Sequence, residues 1–167
     1  MKNLFCKFVI LFIILLTTMC ALPENDFDLH NIKCEERGAI EKNPTEDNNS
    51  STGVFIPNTL DEAMQEIDHM IQNDLKIRMR SEHKACMGKY HFTLGRFFRN
   101  EWQLLGQKTP LYQQFKNNGI KKPDDISTII LMSYWSYIRG NKVELKREIS
   151  WWKNYIKKVR AYRDDLN

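Results

Sequence analysis

His91, Arg96, Arg99, Asn100 and Trp102 fall within about three helical turns of one another and concentrate the chain's chemistry. An imidazole at His91 could move a proton or contact a ligand, and Arg99 could clamp a carboxylate or phosphate with paired N–H groups. Further along, Asp124, Asp125 and Ser127 add two carboxylates and a hydroxyl. Together His91, Arg99, Asp124 and Asp125 describe a pocket for hydrolysis or ligand binding, with His91 and Asp125 as the weak catalytic candidates. The same residues equally describe a buried network, with His91 bonded to a backbone carbonyl and Arg99 paired with Asp124 or Asp125. Buried polar groups are commonly satisfied in that way. Asp124 and Asp125 are adjacent and project about 100° apart on a helix, so they do not straddle a bond as paired catalytic carboxylates do. They suit the first turn of a helix better.

No Ser-centred glycine elbow, glycine-rich phosphate loop, HExxH or CxxC is present. His83 and Cys86 stand at i, i+3, which by itself is a weak metal signal. The sequence therefore predicts no metal and no cofactor, and leans away from an enzyme.

The elements that must position these residues read as helices. Thr59 and Glu62 form a capping box, and Leu60, Ala63, Met64, Ile67, Met70 and Ile71 recur at helical spacing up to about Gln72. Leu75 to Met79 suggests a short second helix. A third is predicted from a Ser81 cap to about Trp102, with Met87, Leu94, Phe98 and Trp102 within roughly 60° of His91 on one face. Gly95 lies inside that helix, where glycine costs about 1 kcal/mol relative to alanine, so a close approach is expected there. A short helix follows over Pro110 to Asn117, with Gly119 as its stop. Pro123 opens a helix rich in Ile126, Ile129, Ile130, Met132 and Tyr134, predicted to be central and buried. The last helix, from about Val143 to Tyr162, sets a stripe of Leu145, Ile149, Trp152, Ile156 and Val159 against many Lys and Arg. No strand alternation or internal repeat is visible. The expected fold is all-α: a single orthogonal bundle of five to six helices, after a signal peptide and a flexible linker.

Residues 1–20 read as a signal peptide. Lys2 and Lys7 precede the uncharged run Phe8 to Leu16, which is too short to span a bilayer of about 30 Å comfortably. Cys20 offers a lipidation site of the lipoprotein type, although Met19 stands where a small residue is usual. Residues 21–53 read as a disordered acidic linker; residues 22–50 carry eight acids against Lys33, Arg37 and Lys42. Residues 51–167 carry 20 Lys and Arg against 13 Asp and Glu. The domain proper is placed at 54–142 and a basic amphipathic helix at 143–167. Export permits Cys34 and Cys86 to pair; two thiols, with Cys86 as a small core residue, is the equal alternative.

Several blocks in order resemble a family of bacterial domains of unknown function. They are Ile56-Pro57 with Thr59-Leu60 and Glu62-Ala63; Tyr90-His91, Leu94-Gly95-Arg96, Arg99-Asn100, Trp102 and Leu104; and Gly119-Ile120, Pro123-Asp124-Asp125-Ile126-Ser127, Ile129-Ile130-Leu131 and Ser133-Tyr134, closing at Gly140. The resemblance covers roughly residues 55–143 and implies no activity. The chain departs from it at Leu105, where a second Trp is usual, and after Val143.

Three functions remain open from the sequence. The first is an exported, non-catalytic module that binds another protein, in the periplasm, at the outer membrane or outside the cell. The second is the small hydrolase or ligand-binding domain around His91 and Arg99, with Arg96, Asn100, Trp102 and Asp124 in its wall. The third is contact with a membrane or an anionic glycan through Trp151, Lys153, Lys157 and Lys158. Its competing reading is a last helix docked on the domain with a solvated basic face. A lipidated Cys20 would also bring the chain to a membrane. Export disfavours nucleic acid despite the basic charge.

Overall fold

A computed structural model describes residues 27–36, 38 and 40–166. The signal-peptide reading of residues 1–20 and the lipidation of Cys20 lie outside these residues. Six α-helices account for the fold: α1 (Leu60–Met70), α2 (Asn73–Ser81), α3 (Arg96–Glu101), α4 (Pro110–Asn117), α5 (Pro123–Ile138) and α6 (Leu145–Asp165). Among the described residues there is no strand, only the isolated bridges Lys42–Ile71 and Glu46–Val54.

Helix α5 is the axle, as its apolar composition predicts. Ile126, Ile129, Ile130, Leu131, Met132 and Tyr134 are fully buried, and each of the other five α-helices packs against it. A helix apolar on nearly all sides must be enclosed by its neighbours. Asp124 and Asp125 occupy its first turn, where the macrodipole favours negative charge. Its C-terminus closes through Gly140 at φ +76°, with Asn141 N–H donating to the Ser136 carbonyl at 3.1 Å. Gly119, at φ +84°, stops α4 in the same manner.

Helix α1 begins at the expected cap, the Glu62 N–H donating to Thr59 Oγ1 at 3.1 Å. The Glu62 carboxylate accepts from the Asn58 N–H at 2.8 Å, one residue earlier than an ideal box.

Two expectations are corrected. The continuous helix predicted from Ser81 to Trp102 is instead three segments: a 3₁₀ stretch over Lys84–Tyr90, a π-helical turn over His91–Gly95, and then α3. Ser81 ends α2, and the cap of the 3₁₀ stretch is His83, whose Nδ1 accepts from the Ala85 N–H at 3.1 Å. The alternation of tight and wide turns preserves an apolar face that looks continuous in sequence.

The second correction concerns the linker. Residues 40–53 are folded onto α1 instead of extending freely. The Asn43 N–H donates to the Met70 carbonyl at 2.8 Å. Thr45 donates both its N–H and its hydroxyl, each at 2.8 Å, to the buried Glu66 carboxylate. Composition undercounted this stretch because its attachment is polar: a buried carboxylate must be hydrogen-bonded, and Thr45 supplies the donors. Earlier in the arm, Phe27 stacks on Trp151 of α6, with ring centroids 5.4 Å apart. Cys34 is disulfide-bonded to Cys86 of the 3₁₀ stretch.

Candidate functional site

The π-helical turn and the start of α5 bring three of the sequence candidates together. The Arg99 side chain runs back along its own chain toward His91. Its Nε lies 3.1 Å from Asp124 Oδ1, and its Nη1 donates to Ser127 Oγ at 2.8 Å. Nη1 and Nη2 also reach the His91 carbonyl at 3.4 and 3.5 Å. The His91 ring stands beside this guanidinium, with Nε2 3.5 Å from Asp124 Oδ1 and Nδ1 3.2 Å from Thr128 Oγ1. The Thr128 hydroxyl donates its one proton to the Asp124 carbonyl at 2.9 Å, so Thr128 Oγ1 is the acceptor and His91 Nδ1 the donor in their contact.

Gly95 explains itself here. A Cβ at this position would lie 3.1 Å from Arg99 Nη1 and 3.5 Å from Ser127 Oγ. The close approach expected from the sequence is therefore made by the guanidinium of the same chain segment and by a hydroxyl of α5.

Burial first, and the Arg99 charge second, hold the His91 pKa below its usual value of 6.5; Asp124 and Asp125 act in the opposite direction without prevailing. Burial raises the carboxyl of Asp125, helped by Asp124 and opposed by Lys122 and Arg160. At neutral pH the cluster thus holds a neutral imidazole beside a guanidinium–carboxylate pair.

The other candidates are placed elsewhere. Arg96 and Asn100 are exposed on α3, and the bonds of the cluster run through His91, Arg99, Asp124, Ser127 and Thr128. Trp102 is a core residue stacked on Phe98 at 4.3 Å. Four of the five Arg99 N–H groups, at most, can be accounted for by these partners, so the guanidinium is largely committed inside the protein. Phe92, the next residue after His91, is 74 % exposed and meets the His91 ring edge-on at 5.0 Å.

A second polar cluster went unnoticed in the sequence. Lys84 Nζ lies 2.8 Å from Glu148 Oε2 and donates to Ser136 Oγ at 2.9 Å, with both charged side chains buried. The ammonium also stands over the Trp151 ring at 4.8 Å and the Trp135 ring at 5.7 Å. The signal was a charge inside an apolar run at each end: Lys84 before Ala85-Cys86-Met87, and Glu148 before Ile149 within the apolar stripe of α6. The cluster ties the 3₁₀ stretch, α5 and α6 together. Among the described residues no group of three or more His, Cys, Asp or Glu is arranged to hold a metal ion.

Residues 56–138 match the family model of a domain of unknown function, DUF6794. The matched segment begins just before α1 and ends with α5. It contains His91, Arg99, Asp124 and Lys84, whereas Cys34 and Glu148 lie outside it. No curated protein and no solved structure matches the chain. In this molecule the DUF6794 segment is therefore braced from both sides, by the arm through Cys34 and by α6 through Glu148.

The membrane-contact candidates on α6 divide. Trp151 is buried and stacks on Tyr155 as well as Phe27. Lys158 donates to the Phe27 carbonyl at 2.6 Å and covers its ring. These two serve the contact with the arm: the helix spends its aromatic face on the arm and the domain. Lys153 and Lys157 remain exposed. No helix among the described residues is long and apolar enough to cross a membrane.

Proposed function

We propose that the chain is an exported, non-catalytic protein-interaction module of the bacterial cell envelope or extracellular space. The observation that carries this reading is the closure of the Arg99 network beneath an exposed Phe92. Arg99 is spent on Asp124, Ser127 and the His91 carbonyl, and the π-helical turn so held presents an aromatic ring to solvent. A π-helical turn at this point is in keeping with their frequency at functional sites. Exposed aromatics on a rigid support are favoured anchors of protein contacts. The Cys34–Cys86 bond supports an oxidising compartment, in agreement with the signal-like start of the sequence.

The alternative of a small hydrolase or ligand-binding domain draws less support, because an Arg99 already engaged has little left for a substrate. Anchoring through a lipidated Cys20 belongs to the same picture of export, and an intact-mass measurement on the chain purified from its source distinguishes a lipidated from a plainly cleaved form.

The deciding experiment is a quantitative pull-down from envelope and secreted fractions, using the full chain and its Phe92→Ala variant. One strongly enriched protein that is lost with Phe92→Ala, at unchanged melting temperature, is the expected result. Catalytic turnover abolished by His91→Ala without loss of stability would overturn the proposal in favour of the enzyme.

A further inference from the structure

Helix α6 aligns four of its cations along one line. Lys146, Lys153, Lys157 and Arg160 are all exposed. At 3.6 residues per turn they fall within an arc of about 60°, over a length of about 21 Å. Glu148, Trp151 and Tyr155 face the opposite way, into the arm and the domain. The α4–α5 connection runs beside this cationic stripe. A cavity of about 300 Å³ is lined by Asn118 together with Lys146, Ile149, Ser150 and Lys153. Farther along, Lys122 of the connection and Arg160 of the helix both lie close enough to Asp125 to draw its pKa down. Lys121 and Lys122 are themselves exposed. Lys146 and Lys153 of the stripe therefore border a shallow polar groove that Asn118 and Ser150 also line, and Lys157 and Arg160 continue the row beyond it.

We infer that this groove binds a linear anionic polymer of the acidic-polysaccharide class, laid along α6 against Lys146, Lys153, Lys157 and Arg160. Charge complementarity is the argument: cations repeat along a straight line, as anionic groups do along such a polymer, and the hydrogen-bonding groups between them suit hydroxyls. A bilayer is the poorer occupant. Amphipathic helices bind membranes by burying an apolar face in the lipid, and the apolar face of α6 is already buried against Phe27 and the domain. The only acid on the stripe is Asp164, at its far end. This inference is independent of the Phe92 surface.

The test uses the full chain and three probes: dextran sulfate, neutral dextran, and vesicles of phosphatidylcholine with phosphatidylglycerol. Dextran sulfate is expected to bind and neutral dextran not to, with affinity falling as salt rises. Lys153→Glu with Lys157→Glu should weaken that binding at least tenfold, at unchanged melting temperature, because both side chains are exposed. Lys33→Glu with Lys108→Glu, the same change in net charge at two other exposed positions, should weaken it less than threefold. Equal losses in the two variants would reduce the effect to net charge and overturn the site. Absence of binding to dextran sulfate at low salt would overturn it as well. Tighter binding to the anionic vesicles than to the polymer would overturn the polysaccharide assignment and make a lipid surface the occupant.

Discussion

Lys84 and Glu148 meet 2.8 Å apart in the interior, 64 residues apart in sequence, and join α6 to the 3₁₀ stretch that precedes the π-helical turn. Removing charges from water is costly, and the pair recovers that cost through its mutual attraction, Ser136 and the two indole rings. Breaking one side leaves the other charge stranded. Glu148→Gln or Lys84→Met alone should lower unfolding free energy by about 3–5 kcal/mol in urea titrations. Lys84→Met combined with Glu148→Leu should recover most of the loss, since apolar replacements of a buried pair are often neutral. Additive losses in the double variant would show that the two charges act independently.

Gly95 supplies the second prediction. Its backbone is ordinary right-handed helix, φ −60° and ψ −40°, so alanine would by propensity be favoured by about 1 kcal/mol. The added methyl would press on Arg99 Nη1 at 3.1 Å, and that atom cannot yield without losing Ser127 or the His91 carbonyl. Gly95→Ala should therefore destabilise, by about 1–2 kcal/mol, within the range of overpacked sites. In an Arg99→Met background the same substitution should cost less, with a coupling of at least about 0.5 kcal/mol in a double-mutant cycle. A stabilising Gly95→Ala would mean that the guanidinium is loosely held.

What could be read in advance follows from what kind of force shapes each part. Helices α1, α4 and α5 were legible because caps, prolines at first turns and closing glycines mark their ends, and apolar periodicity marks their faces. The segment from Lys84 to Glu101 was not, because its 3₁₀ and π turns depart from the fixed angle per residue on which the periodicity rests. The arm was misread for a related reason: Thr45 and Phe27 attach it by hydrogen bonding to Glu66 and by stacking on Trp151, and neither partner is visible from local composition. Of the candidate site, His91, Arg99 and Asp124 do converge, as the choice of residue types suggested. Arg96, Asn100 and Trp102 were grouped with them by sequence distance alone and diverge in space.

The disulfide should matter for the arm more than for the helices. It closes a loop between residues 52 positions apart, for which the chain-entropy estimate is about 4 kcal/mol. Cys34→Ser with Cys86→Ala should lower the melting temperature and abolish its sensitivity to reductant. The arm should then exchange its amide hydrogens faster, first around Phe27, while α5 retains its protection. Unchanged stability on reduction would place the arm's attachment wholly in the Glu66 and Trp151 contacts.

His91 gives the pH dependence. Its folded pKa is depressed, so the unfolded chain binds the proton more tightly than the folded one. The stability linked to His91 is therefore fully present above pH 6.5 and declines as the pH falls from 6.5 toward the depressed value. Asp125 works with the opposite sign: its raised folded pKa makes the native state gain relative stability as the pH falls through that pKa. The two groups can be separated by following the His91 ring protons by NMR. A midpoint below 6.5 is expected in the native chain. Asp124→Asn should lower it further, because the carboxylate 3.5 Å from Nε2 favours the imidazolium. Arg99→Gln should raise it, since the guanidinium opposes protonation. A native midpoint at or above 6.5 would mean that Asp124 prevails over burial, and the cluster would then be a charged triad at mildly acid pH instead of a neutral imidazole beside an ion pair.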